Sequence, residues 1–385
     1  MLHKYALCRI AILAGAAIAT GGPANAGTYL QLHAFRGSGD GAHPATGLTL
    51  LNGNLYGTTP AGGAGSCLGS PKGCGSVYSV DPATGDEQVV FSFNVSKDLV
   101  TPTTGLTDVD GTLYGGTLDA IYSLNPTNDE VYPLYSLPKK SGNSVVGNLL
   151  KVHDKLFGVA SYGPNRFQNG VVFSVKRNSG HGVTLFEFRN EYGRTPEGGL
   201  IDDDGMLYGT ASLGGAYKSG TVFALDPTTH AVTVVYSFGS DGDGLSPYGS
   251  LLDFEGTLYG TTYRGGAFDA GTVFSLNPTT GAEAVVYSFK SSKDGILPLA
   301  GLVEFHGKLY GTTSFGGASN DGTIFRIDPI TGVERVLYSF EGHRDGAYPK
   351  SGLTRVGKTL YGTTFAGGDT TCISRGCGTV FSYTP

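Results

Sequence analysis

The string Leu-Tyr-Gly-Thr-Thr begins at Leu55, Leu258, Leu309 and Leu360, with close variants at Leu113, Leu156 and Leu207. Its aromatic residue falls at positions 56, 114, 157, 208, 259, 310 and 361, in steps of 58, 43, 51, 51, 51 and 51. A period of this size means that one supersecondary unit is stacked on copies of itself. The elements inside a unit are short, β-branched and aromatic, and turn residues such as Asp226-Pro227-Thr228-Thr229 separate them, so each reads as a strand. In the fourth unit they are Gly199-Leu200-Ile201 (strand A), Leu207 to Thr210 (B), Thr221 to Ala224 (C) and Val234 to Phe238 (D). Four strands per unit in seven units predict an all-β, seven-bladed β-propeller.

The ends of the chain bear on how such a ring closes. The last unit stops after strand C at Phe381-Ser382-Tyr383, and residues 29–35 align with the strand D that ends at Phe340. The first strand is therefore expected to complete the seventh blade, leaving no open sheet edge. A linear solenoid would need capping units instead. Glycine, 63 of 385 residues, has no three-residue period, which excludes collagen. Lys and Arg total 26 against 32 Asp and Glu, a net charge of −6, which is a poor footprint for gripping a polyanionic backbone, so nucleic acid is not an expected partner.

Residues 1–26 read as a signal peptide. Lys4 and Arg9 precede an apolar run from Ile10 to Ile18 that is too short to span a bilayer, and Ala24-Asn25-Ala26 supplies a small-x-small cleavage pattern. The mature chain, 27–385, is expected to be one propeller domain, secreted to the periplasm or beyond, monomeric, and without stable membrane insertion after cleavage. Its four cysteines form two close pairs, Cys67 with Cys74 and Cys372 with Cys377. An oxidising compartment favours disulfides within each loop, with a cross-link between the first and last blades as the alternative. Neither pair has zinc-ligand spacing, and no metal or cofactor is expected.

The repeat resembles the GloVer-type tandem repeat of secreted bacterial proteins. The resemblance rests on Gly256 to Thr262, Gly265-Gly266, Gly271 to Phe274, Tyr287-Ser288-Phe289 and Asp294 to Pro298, and it covers essentially the whole mature chain. It implies an exported propeller and carries no general activity with it. The second and third units depart most from the pattern, with Gly116 in place of Thr and Val159-Ala160 in place of Thr-Thr.

Aromatics that recur in every unit are expected to pack between blades. Asp40, Asp98, Asp243, Asp294 and Asp345 each stand four residues before a proline and read as turn caps, while Asp202-Asp203-Asp204 reads as a solvated turn. The sequence contains no H-E-x-x-H and no G-x-S-x-G, and the absence of Trp disfavours quinone cofactors docked on tryptophan.

Function is expected where the repeat breaks its own pattern. The D–A and B–C connections share one face, and the B–C loops vary from three residues in the second unit to the cysteine-bearing segments of the first and seventh. Residues leading into strand A should ring the mouth of a central channel. They are His43/Ala45, Thr101/Thr103, Thr195/Glu197, Ser246/Tyr248, Leu297/Leu299 and Tyr348/Lys350, and the third unit lacks the intervening proline. Two classes of function follow. The first is a binding module for an extended polar ligand, a polysaccharide by preference, engaged by Lys350, Glu197, Arg264, Arg166 and His343. The second is a carbohydrate-active enzyme, a lyase or glycoside hydrolase, on the same face, with His43, Tyr248 or Tyr348 as general acid or base. A structural or protein-interaction scaffold is a third possibility. His43 and Tyr348 are expected to be exposed.

Overall fold

The computed structural model describes residues 27–65, 67, 73–94, 99–138, 144–161, 169–240, 242–290, 293–368, 372 and 375–385. The signal-peptide assignment, Asp98 and Arg166 lie outside them. The fourth blade shows why the repeat folds as it does. Ile201–Asp203 (strand A), Met206–Leu213 (B), Thr221–Leu225 (C) and Val232–Ser237 (D) pair in order, all antiparallel. The register sets Leu207 against Leu225 and Gly209 against Phe223, so the apolar residues of strands B and C share a face. A bulge between Val222 and Phe223 bends strand D, and the same irregularity recurs in the other blades.

Seven such sheets form a ring, giving the seven-bladed β-propeller that the spacing predicts. In two of them a short segment of the D–A connection, Arg194–Pro196 or Gly244–Pro247, also pairs with strand B. Thr28–Ala34 pairs antiparallel with Thr379–Thr384, so one sheet holds strands from both ends of the described chain.

The core lies between blades. Each of seven buried clusters spans one seam; the cluster of blades 4 and 5, for example, joins Tyr208, Val222 and Phe238 to Leu251, Leu258 and Phe274. The Phe ending strand D meets the strand C aromatic of the next blade edge to face. Phe238–Phe274, Phe289–Phe325, Phe340–Phe381, Phe35–Tyr78, Phe93–Tyr122 and Phe188–Phe223 all have centroids 4.9–5.3 Å apart. Each pair adds roughly 0.5–1.5 kcal/mol beyond its buried area.

A second device locks six of the seven seams near the channel. The residue before the proline, whether His43, Thr101, Thr195, Ser246, Leu297 or Tyr348, is left-handed, with φ between 50° and 63°. Its N–H donates to a carbonyl of the preceding blade, on Cys377, Cys74, Asn169, Ser219, Ala270 or Asp321 respectively, at 2.7–2.9 Å. The proline then stands against the glycine that follows that carbonyl. A Cβ on Gly220 would lie 2.5 Å from Pro247 Cδ. Blade 3 lacks the proline, and at the matching place blade 2 carries Asp119 instead of glycine.

The cysteines pair within their own loops, Cys67 with Cys74 and Cys372 with Cys377, with Cα atoms 5.1 and 5.3 Å apart. Four of the five aspartates that precede a proline by four residues cap turns, Asp98 lying outside the described residues. Asp40, Asp243, Asp294 and Asp345 accept backbone N–H groups of Arg36, Gly239, Lys290 and Glu341. Three of them also accept a Tyr hydroxyl from their own blade: Tyr236, Tyr287 and Tyr338 donate at 2.9, 2.6 and 2.6 Å. Asp202 caps its turn through Gly205 N–H, as its solvated position suggests.

Candidate functional site

The channel is built by repetition. One segment of every blade, at or leading into strand A, lines a cavity of ≈ 420 Å³. Small residues such as Gly47, Gly105, Gly249 and Gly301 make the wall, so the larger side chains stand out as individuals. The second members of the six pairs read from the sequence, Ala45, Thr103, Glu197, Tyr248, Leu299 and Lys350, all line it. Three of them bring chemistry: a carboxyl, a phenol and an amine.

Glu197 has its pKa pushed up to about 7 by burial, against the opposing hydrogen bond of the Ser161 hydroxyl. A carboxyl raised into this range is suited to donate or accept a proton near neutral pH. Burial also lowers the Lys350 pKa. Its Nζ sits 3.5 Å from the centroid of the Phe365 ring, a cation–π contact. Phe365 stacks on His43 as well, with centroids 4.8 Å apart and planes at 25°, and its carbonyl lies 3.0 Å from His43 Nδ1. Tyr248 meets Tyr263 edge to face at 5.5 Å. The mouth thus carries two aromatic clusters, one on blade 5 and one on blade 7.

The other expected residues are dispersed. Tyr348 packs against Phe315 at 4.9 Å, and Arg375 lies over the Tyr348 ring at 5.2 Å. Tyr348 and His343 line a second polar cavity of ≈ 440 Å³ with Ser319, Asn320, Asp321 and Arg375. Burial raises the Asp321 pKa, and Arg375 and His343 pull it back. Arg264 is exposed, paired with Asp269 at 3.5 Å, and is not among the residues lining the channel. His43 and Tyr348 are half-buried where full exposure was expected, because both lean on aromatics that follow strand B. Phe365, Tyr263, Phe315 and Arg375 were not singled out from the sequence. The signal was there for two of them: the position after Leu-Tyr-Gly-Thr-Thr holds Pro60, Tyr263, Ser314 or Phe365, so it is one place where otherwise matching units differ.

The model of the Gloeobacter/Verrucomicrobia repeat matches residues 69–253 and 167–381, well over half of the chain. The chain belongs to this repeat family. No curated protein matches it in sequence. In structure, this Gloeobacter/Verrucomicrobia repeat protein is similar to an oligogalacturonate lyase in complex with manganese, with TM-score 0.56 and 13% identity over 94% of each chain. An oligogalacturonate lyase from Vibrio parahaemolyticus gives TM-score 0.55 and 11% identity, over 92% of this chain and 93% of that one. The extracellular domain assigned to a one-component system of B. thetaiotaomicron gives 0.58 and 16%, over 94% of this chain but 42% of that one. At these identities the likeness is one of fold.

Proposed function

We propose that this propeller is an exported binding protein for an extended polar glycan, held at the mouth formed by the D–A and B–C loops. The observation that carries the reading is the pair of aromatic clusters, Lys350 and His43 on Phe365 and Tyr248 on Tyr263, flanking a channel lined mostly by small residues. The Tyr248 and Tyr263 rings suit the C–H faces of sugar rings, and an amine stripped of part of its water and held over Phe365 suits an acidic substituent. Export is in keeping with two loop disulfides. Among the described residues no helix is long and apolar enough to cross a membrane. Because oligogalacturonate lyases share the fold, uronate-rich glycans are the first ligands to try.

The test is calorimetry of the mature chain against oligogalacturonate and a neutral glucan of the same length. Lys350→Ala and Phe365→Ala should each weaken oligogalacturonate binding by about 1–2 kcal/mol, the range of interface anchors. Undiminished affinity in the double variant would refute the assignment of this mouth. The enzymatic reading is favoured by Glu197, which lines the channel and whose pKa burial raises. It requires absorbance growth at about 235 nm or new reducing ends, abolished by Glu197→Gln with binding retained.

A further inference from the structure

We propose that His33, Asp40 and Glu87 form a binding site for a divalent transition metal at the seam between blades 7 and 1. The argument starts from the repeat. At the seam of blades 4 and 5 the corresponding positions hold Tyr236, Asp243 and Glu283, and at that of blades 5 and 6 they hold Tyr287, Asp294 and Glu334. There the phenol donates a hydrogen bond to the aspartate and ties strand D to the turn that follows it. At the closing seam the aspartate and glutamate are kept, but the phenol is replaced by an imidazole.

The exchange leaves donor atoms facing one another. One ligand atom from each of His33, Asp40 and Glu87 falls within a sphere of contact in which all lie within 4.8 Å of one another. His33 Nε2 is 3.4 Å from Asp40 Oδ2, an ion pair when the ring is protonated but not a hydrogen bond by geometry, and Glu87 Oε1, like Glu283 Oε1 and Glu334 Oε1 at the other two seams, is out of solvent and without a hydrogen-bond partner; what is particular to this seam is the ring nitrogen beside it. A ring nitrogen and a Glu87 oxygen without hydrogen bonds, beside an aspartate that the main chain holds, offer a cation three donors. Backbone N–H groups of Arg36 and Gly37 hold Asp40 in place, the outer support that metal-ligating carboxylates require. The side chains of His33 and Asp40 keep 18% and 15% of their surface exposed, which leaves a path for entry and room for water ligands.

The donor set also selects the ion. Calcium and magnesium prefer all-oxygen shells, whereas one imidazole with two carboxylates suits zinc, manganese(II) or cobalt(II). The three ligands come from the first strand, the turn after it and the outer strand of blade 1. A bound ion would fasten the strand that begins the described chain to the neighbouring blade.

The experiment uses the mature chain stripped with chelator, titrated with zinc, manganese(II) or calcium by calorimetry and followed by thermal unfolding. About one equivalent of zinc or manganese should bind and raise Tm, with calcium much weaker. His33→Tyr, which copies the seams of blades 4 and 5 and of blades 5 and 6, should fold with a Tm near that of the stripped wild type and lose the ion response. Glu87→Gln should weaken binding by at least about tenfold, since even outer-sphere changes reach that range. Absence of zinc and manganese binding by the wild type, or wild-type binding in both variants, would overturn the site. Equal affinity for calcium would overturn its transition-metal character. Should His33→Tyr fail to fold, Glu87→Gln decides alone.

Discussion

Replacing Gly220 by alanine tests whether blades are locked by the glycine and proline that face each other across a seam. Two costs add. At φ +109° an L residue is outside its allowed wells, roughly 1–2 kcal/mol by analogy with other positive-φ positions. The new Cβ would also lie 2.5 Å from Pro247 Cδ and 2.7 Å from the Ala211 carbonyl oxygen, an overpacking that costs roughly 1–3 kcal/mol. The sum is about 2–5 kcal/mol. Gly205 supplies the control, because its φ is +84° and nothing lies within 4 Å of the Cβ it would gain. Gly205→Ala should therefore show only the backbone cost, about 1–2 kcal/mol. Urea midpoints followed by far-UV circular dichroism give both values, the chain having no Trp to report by fluorescence. Adding Pro247→Ala to Gly220→Ala should recover part of the loss, with a coupling of at least about 1 kcal/mol; the Ala211 carbonyl keeps the rest. Equal costs at Gly220 and Gly205, or strict additivity with Pro247→Ala, would refute the lock.

Two further outcomes follow from the seams and loops. Burial and a neighbouring aspartate raise both Glu283 and Glu334 to about 7, whereas an unfolded glutamate titrates near ~4.3, so the fold holds extra protons between those values. Stability should then fall as pH rises from about 4.5 to about 7.5, and Glu283→Gln with Glu334→Gln should flatten the slope; a Tm profile with the same slope in the double variant counts against it. Removing the Cys372–Cys377 bond, which closes a separation of 5 residues, should cost roughly 2 kcal/mol in the same urea assay. No change in midpoint between Cys372→Ser/Cys377→Ser and wild type would contradict that figure.

The architecture was legible because a propeller repeats its packing, and repeated packing leaves repeated letters. Even the irregular pair shows this: Asp119 in blade 2 and the missing proline of blade 3 are two halves of one contact, visible as a joint departure from the pattern. The ring of channel residues was legible for the same reason, since each is placed by the x-Pro-x step. What could not be read were contacts across a seam. His43 and Phe365 are 322 positions apart, and nothing local to either announces their stacking. The backbone at the mouth was also hidden. A residue before proline is ordinarily extended, whereas here each is left-handed with its N–H donated to the neighbouring blade, a contact that local sequence does not announce.

That left-handed step gives the molecule a rim of interchangeable sockets. At each, the main chain makes the structural contact through its N–H and the following proline ring, so the side chain is not needed to hold the ring together. Six sockets accordingly carry five residue types, His43, Thr101, Thr195, Ser246, Leu297 and Tyr348, in one conformation. A lineage, or a designer, can therefore rewrite the chemistry of the mouth one socket at a time while the geometry that presents it stays fixed.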